Sequence, residues 1–234
     1  VYEGALVPFD IALKVEARWF TNILMNPSSE AMIRSLFINK EALEKGAVRP
    51  KNISDQKVRK VGVLGAGMMG AGISYVSALA GIEVVLLDMK KEDAEKGKTH
   101  AENILNVGIK RKKITEEKKL SVLSLINTTT DFKDLSGCDL IVEAVFEDPE
   151  IKARVTKKAE LIVDKDCIFA TNTSTLPITS LASASIRPEQ FIGIHFFSPV
   201  DKMLLVEIIK GSATGSKAVA KALDYVRQIK KTPI

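Results

Sequence analysis

Cysteine, histidine and tryptophan are scarce in this 234-residue chain: it has two, two and one, with aromatics at 6%. Each shortage narrows the field. Cys138 and Cys167 stand far apart, each beside an apolar run, and neither belongs to a metal-ligand spacing. They read as buried thiols of a reducing compartment, which sets aside a disulfide framework and a metal centre. No apolar stretch reaches membrane-spanning length, and the N-terminus carries no signal-peptide pattern. There is no internal repeat and no low-complexity tract. Net charge is only +5, with lysines interspersed among acids. Nucleic acid is therefore not an expected partner, whereas a small polyanion is compatible.

What is present is ordinary for a folded protein: 46% hydrophobic and 27% charged residues. The chain is organised around residues 59–88, RKVGVLGAGMMGAGISYVSALAGIEVVLLD. Val61 to Leu64 is an apolar run of strand length. Gly65-Ala66-Gly67-Met68-Met69-Gly70 follows at once with G-x-G-x-x-G spacing, and an Ala-rich helical pattern runs on to Gly81. A second apolar run, Val84 to Leu87, ends on Asp88. Strand, turn, helix, strand and acid stand in the order a dinucleotide site requires. Gly65 allows the sharp turn, Gly67 lets a pyrophosphate approach the backbone, and Gly70 lets the helix pack close. The helix N-terminus, at Met68 and Met69, offers free N–H groups to the phosphates. Asp88 can accept hydrogen bonds from both ribose hydroxyls and would repel a 2′-phosphate, so NAD is favoured over NADP.

Further along, strands are expected at 126–129, 139–145, 167–170, 191–196 and 204–209, with helices at 90–113, 116–125, 149–163 and 215–230. This alternation predicts an α/β fold, a Rossmann-type doubly wound and mainly parallel sheet. Loops after Leu64, Val145 and Ala170 should then meet at the carboxyl ends of the strands. Residues 1–54 lie outside that unit. Two amphipathic helices are expected there, 10–25 and one capped by Ser28 or Ser29 that runs to Gly46, followed by a linker over 48–54. The domains are thus 1–54 and 55–234. The chain begins at Val1 and stops at Ile234, and a piece of a longer protein is expected.

His100 lies among lysines and acids and reads as a surface residue. His195 lies in the apolar run Phe191 to Phe197, where a hydrogen-bonded core histidine is the plain alternative to a catalyst. Glu207 sits in the next apolar run, where a bare carboxylate is costly unless paired. If the two runs form an antiparallel hairpin, Glu207 can orient the His195 ring, leaving the other nitrogen to take a hydroxyl proton. A salt bridge from Glu207 to Lys202 or Lys210 is the alternative. Ser174, in Thr171-Asn172-Thr173-Ser174-Thr175, is either a turn cap or a donor to a substrate alcohol. The basic run Lys110 to Lys113 is either a solvated helix end or a phosphate clamp.

GAGMMGAG, VEAVFED, ATNTSTLPI and GIHFFSPVDKMLLVEII together resemble the NAD domain of L-3-hydroxyacyl-CoA dehydrogenases over about residues 57–234. The S-P-V-D-K-M wording is closest to multifunctional fatty-acid oxidation α-subunits, and residues 1–50 resemble the helices that follow their enoyl-CoA hydratase part. The resemblance implies His195 as general base, Glu207 as its partner, and Ser174 on the substrate hydroxyl and the cofactor. It places Met69, Asp88, Val145, Phe146, Glu147 and Lys152 at the NAD site. Ser198 stands where single-function members carry Asn in a cofactor contact. It implies NAD as cofactor, oxidation of (3S)-3-hydroxyacyl-CoA to 3-ketoacyl-CoA, a thiolase β-subunit as a partner, and a cytoplasmic bacterial or a mitochondrial location. Little turnover is expected without the family's C-terminal helical domain. Another β-hydroxyacid dehydrogenase built on a catalytic lysine, and a non-catalytic NAD-binding protein, remain as alternatives.

Overall fold

The computed structural model describes residues 1–234 and divides into two compact units, Val1–Ala47 and Val48–Ile234. The first consists of a 3-10 turn and the helices α1 (Phe9–Leu24), α2 (Pro27–Ile33) and α3 (Lys40–Glu44), the last two joined by a π-helical stretch over Arg34–Asn39. The second helical segment is capped by Asn26, whose side chain accepts from the Ser28 N–H at 2.9 Å. Pro27 occupies its first position, where a missing N–H costs nothing. The expected cap at Ser28 or Ser29 is corrected accordingly: both serines lie inside the helix. No residue of these helices is buried. Trp19, Phe20, Ile23 and Phe37 are all half or more exposed.

The second unit carries eight strands: β1 (Lys60–Leu64), β2 (Glu83–Leu87), β3 (Ile126–Thr129), β4 (Leu140–Glu143), β5 (Ile168–Thr171), β6 (Phe191–Phe196), β7 (Leu205–Ile209) and β8 (Thr232–Pro233). Their order is β3-β2-β1-β4-β5-β6-β7-β8. Every neighbouring pair is parallel except β6 and β7. The helices are α4 (Met68–Leu79), α5 (Lys91–Lys110), α6 (Glu116–Ser124), α7 (Pro149–Glu160), α8 (Ile178–Ala182) and α9 (Ser216–Gln228). The fold is the expected doubly wound one. β8 is the addition: two residues are too few to show a period, and Pro233 fits only at an edge because it has no N–H to give. Lys110 to Lys113 straddle the end of α5, since Lys112 takes φ 57° and the Lys113 N–H turns back to the Gly108 carbonyl.

Alternation along the strands divides the core into two layers. Val61, Val63, Val84, Leu86, Leu140 and Val142 bury toward one side, together with Ile73, Leu105 and Tyr225. Leu64, Val85, Leu87, Ile141 and Phe169 bury toward the other, with Ala159, Ile178 and Leu181. Both faces are covered, which is why the parallel strands read as continuous apolar runs. Tyr225 is fully buried, and its hydroxyl is paired with Ser77 Oγ at 2.7 Å.

The 48–54 segment, expected as a linker, belongs to the second unit. Arg49 fastens it to α9: Nε and Nη2 donate to the two Asp224 carboxylate oxygens at 2.7 and 2.8 Å. The same guanidinium donates to the carbonyls of Pro50, Ile53 and Ser54. Such a fork uses the whole planar donor set of arginine.

Candidate active site

The strand order reverses between β1 and β4, and a site is expected beyond the carboxyl ends of strands at that point. The chain leaves β1 at Gly65 with φ +94°, a conformation rare for L side chains. A Cβ on Gly70 would sit 1.8 Å from the Gly65 oxygen, so only glycine lets α4 begin this close to the strand. Nothing lies within 4 Å of a Cβ built on Gly67. The space over the turn is open there. Gly67 caps α4 without a side-chain hydrogen bond, which leaves the first N–H groups for an anion. These features fit a dinucleotide pyrophosphate. The Asp88 carboxylate, at the tip of β2, accepts from the N–H groups of Ala66 and Met89, both at 2.7 Å. Beside it lies a cavity of about 200 Å³ between Leu64, Leu87, Phe132, Val145 and Phe146, with apolar walls suited to a planar base.

A second cleft, of about 330 Å³, opens on the other side of the turn and is lined by Met69, Val145, Asn172, Ser174, His195 and Ser198 among others. β6 and β7 form the antiparallel hairpin expected of them, and His195 is register partner to Glu207. The His195 Nδ1–H donates to Glu207 Oε2 at 2.6 Å. The alternative pairing of Glu207 with Lys202 or Lys210 does not form; among its ion pairs only His195 appears. With Nδ1 engaged, Nε2 is the nitrogen left to accept a proton. The ring is only 18% exposed and packs edge-on against Phe197 at 4.8 Å. Ser198 Oγ donates to Met68 Sδ at 3.7 Å, which ties the end of the hairpin strand to the start of α4.

Glu143 and Lys152 are paired in the interior. Strand parity turns Glu143 toward α7, and Lys152 Nζ reaches its two oxygens at 2.8 and 3.1 Å. Their side chains are 1% and 3% exposed. Two further donors, Thr171 Oγ1 and the Val145 N–H, complete the carboxylate, as a buried charge requires. Lys152 also lies 3.2 Å from Glu147. Expected at the cofactor site, Lys152 thus stands behind it, joined to both carboxylates.

Glu147 fastens the Ser174 loop. Its carboxylate accepts from the Thr173 hydroxyl and from the N–H groups of Ser174 and Thr175, the latter two at 3.0 and 3.3 Å. Burial pushes this carboxyl up, but the Thr173 hydroxyl, the Lys152 ammonium and the Ser174 N–H outweigh it and hold it down at about 2. Ser174 therefore has a fixed backbone at the cleft. Asn172 supplies the other brace: its Oδ1 accepts from the Phe196 N–H at 2.8 Å, immediately after His195. Sequence reasoning passed over Asn172 and Thr173 as parts of a generic cap. Their signal was the density of side-chain hydrogen bonders at a strand end.

The family described as "3-hydroxyacyl-CoA dehydrogenase, NAD binding domain" matches residues 60–234. A fatty acid oxidation complex subunit alpha from Psychrobacter cryohalolentis is 37% identical over 228 residues, covering 97% of this chain and 31% of its own length. The chain thus spans about a third of the curated relatives it matches. A solved (S)-3-hydroxybutyryl-CoA dehydrogenase from Ralstonia eutropha superposes with TM-score 0.72 at 39% identity, over 76% of this chain and 63% of that one. The dehydrogenase part of multifunctional enzyme 1 from C. elegans gives 0.71 at 32% identity, over 85% of this chain and 48% of that one.

Proposed function

Since the chain belongs to the 3-hydroxyacyl-CoA dehydrogenase family, as its NAD-binding domain, we propose that it is the nucleotide half of a fatty-acid β-oxidation dehydrogenase within a longer protein. The reaction is oxidation of (3S)-3-hydroxyacyl-CoA to 3-ketoacyl-CoA. The observation that carries this reading is His195, paired with Glu207, lining the same cleft as Met69 and Ser174. A bound NAD would supply the hydride acceptor for the carbinol carbon. His195 Nε2 takes the hydroxyl proton, and Glu207 stabilises the imidazolium through Nδ1–H. The Ser174 hydroxyl donates to the substrate hydroxyl oxygen and so orients the substrate O–H toward His195. Gly65, Gly67, Met68, Met69 and Gly70 would hold the pyrophosphate of a bound NAD, Asp88 its adenosine ribose, and Val145, Phe146, Glu147 and Ser198 would line the remainder, with Lys152 bracing Glu147.

Residues 1–47 serve as linker helices from a hydratase portion. In support, their apolar side chains have no core of their own. A thiolase subunit would take the 3-ketoacyl-CoA, in the cytoplasm of a bacterium.

Calorimetric titration of this chain with NADH and with NADPH tests the cofactor reading, with NADH expected to bind clearly and NADPH far more weakly. Equal binding of the two would sink it. In the longer protein, His195→Gln is expected to abolish acetoacetyl-CoA reduction while NADH still binds. Retained turnover would remove His195 from the chemistry.

A further inference from the structure

We propose that Lys231 is a positioning residue for the reacting pair: its ammonium clasps the loop between β6 and β7 and so holds His195 opposite Glu207. The proposal rests on the reading of that pair given above.

Lys231 is the last of the three residues between α9 and β8, and only 6% of its surface is exposed. A lysine this buried would ordinarily be paired with a carboxylate. This one donates instead to two backbone carbonyls, those of Val200, at 2.6 Å, and Met203. Burial lowers its pKa and Asp201 offsets part of that.

How the side chain reaches the loop follows from the local backbone. α9 ends with the Lys230 N–H on the Arg227 carbonyl, the Lys231 N–H on the Val226 carbonyl, and Lys230 in the left-handed region at φ 58°. That is a Schellman-type stop, which reverses the chain direction within a residue. The Thr232 N–H then joins the Leu204 carbonyl, so β8 lies along β7. Lys231 is left beneath the loop that β7 emerges from.

The loop itself is a tight turn: the N–H groups of Lys202 and Met203 both return to the Pro199 carbonyl at 3.0 Å. The carbonyls of Val200 and Met203 have their hydrogen bonds from Lys231, and a cation is well placed on carbonyls that point the same way. From above, Val200 presses on α4, where a Cβ added to Gly72 would sit 2.7 Å from Val200 Cβ. The loop is therefore held between α4 and Lys231. It begins with Ser198 in the cleft and ends where Glu207 approaches. The loop closes the β6–β7 register at its Phe196–Val206 end, one pair from His195 and Glu207, so slack in it loosens their contact.

The test is the proton shared by His195 Nδ1 and Glu207, followed as a downfield 1H resonance in the chain without ligand. The His100 ring, the Trp19 indole N–H on Glu3 and hydroxyl protons held by carboxylates, such as that of Thr173 on Glu147, could also appear downfield, and His195→Gln identifies the signal by its loss. Lys231→Met is expected to broaden the resonance or raise its exchange with water roughly tenfold or more, as local opening does, while the far-ultraviolet spectrum stays folded. Gly72→Ala, which pushes the same loop from the opposite side, is expected to do the same and decides the matter if Lys231→Met does not fold. A resonance unchanged in the folded variants overturns the proposal, as does its absence from the unsubstituted chain. Because no substrate or NAD is present, failure here is separable from failure of the dehydrogenase reading, which is judged by turnover and NADH binding.

Discussion

The Asp88 carboxylate at the end of β2 holds the Ala66 N–H at 2.7 Å, so this acid and the glycine turn are one hydrogen-bonded piece. Asp88→Asn keeps the shape and removes the charge. A charge-assisted hydrogen bond contributes about 1.5–3 kcal/mol. NADH affinity should therefore fall roughly 10- to 100-fold. NADPH should lose much less, since the carboxylate no longer repels its 2′-phosphate. A preserved NADH-to-NADPH ratio in calorimetry would show that Asp88 serves only the turn.

Glu147 makes the Ser174 loop sensitive to acid. Its carboxyl is held at about 2, below the ordinary 4.5. A depressed folded-state pKa gives stability that is fully present above 4.5 and is lost as pH falls through 4.5 toward 2. Because the Glu147 side chain is 37% exposed, the effect is local and modest. The Ser174 and Thr175 amide resonances should hold their positions to about pH 3 and move only below it. In Glu147→Gln they should be displaced at neutral pH and show no such transition. Titration of those amides near 4.5 would mean that the loop does not depend on the carboxylate.

The contrast between these two acids shows what was legible without a structure. Asp88 closes an apolar run after a glycine turn, and the order of local elements is enough to find it. The same holds for the parallel strands, whose doubly buried faces make unbroken apolar runs. His195 and Glu207 were readable because a carboxylate inside an apolar run requires a partner. The pairing of Lys152 with Glu143 was not: they meet because strand parity and the placement of α7 bring them together, and no local spacing encodes that. Asn172, whose Oδ1 holds the Phe196 N–H, and Lys231 were hidden for the same reason. The helix stop at Lys112 was missed because a left-handed residue there is not glycine.

Arg49 and Asp224 should matter for stability and not for the site. Both side chains are about nine-tenths buried, at 11% and 10% exposure, and Asp224 also accepts from the Gln56 N–H at 2.8 Å. Removing one partner of a buried pair costs about 3–5 kcal/mol where the other is left uncompensated. Of its ion pairs Asp224 would keep only the longer one, with Arg227 Nη1 at 3.7 Å, so the cost should lie toward the low end. Arg49→Met should therefore lower the thermal midpoint by many degrees. NADH affinity below the transition should stay unchanged, since this brace lies at the amino end of β1 and the site at its carboxyl end. A midpoint close to that of the unsubstituted chain would show the pair to be a surface contact in solution.

Gly67 and Gly70 have different jobs, and alanine separates them. At Gly70 the new Cβ meets the Gly65 oxygen at 1.8 Å. Backbone has to move, and overpacking of this kind costs about 1–3 kcal/mol. Gly70→Ala should lose both stability and NADH binding. At Gly67 the backbone is extended, φ −62° and ψ −173°, which alanine adopts freely. No atom lies within 4 Å of the added carbon, so Gly67→Ala should melt within about 0.5 kcal/mol of the original chain. The methyl group would nevertheless occupy the space a pyrophosphate needs, and NADH affinity should drop at least roughly tenfold, or 1.4 kcal/mol. A stable Gly67→Ala chain that bound NADH normally would move the pyrophosphate away from this turn, and the reading of α4 as its anchor would fall with it.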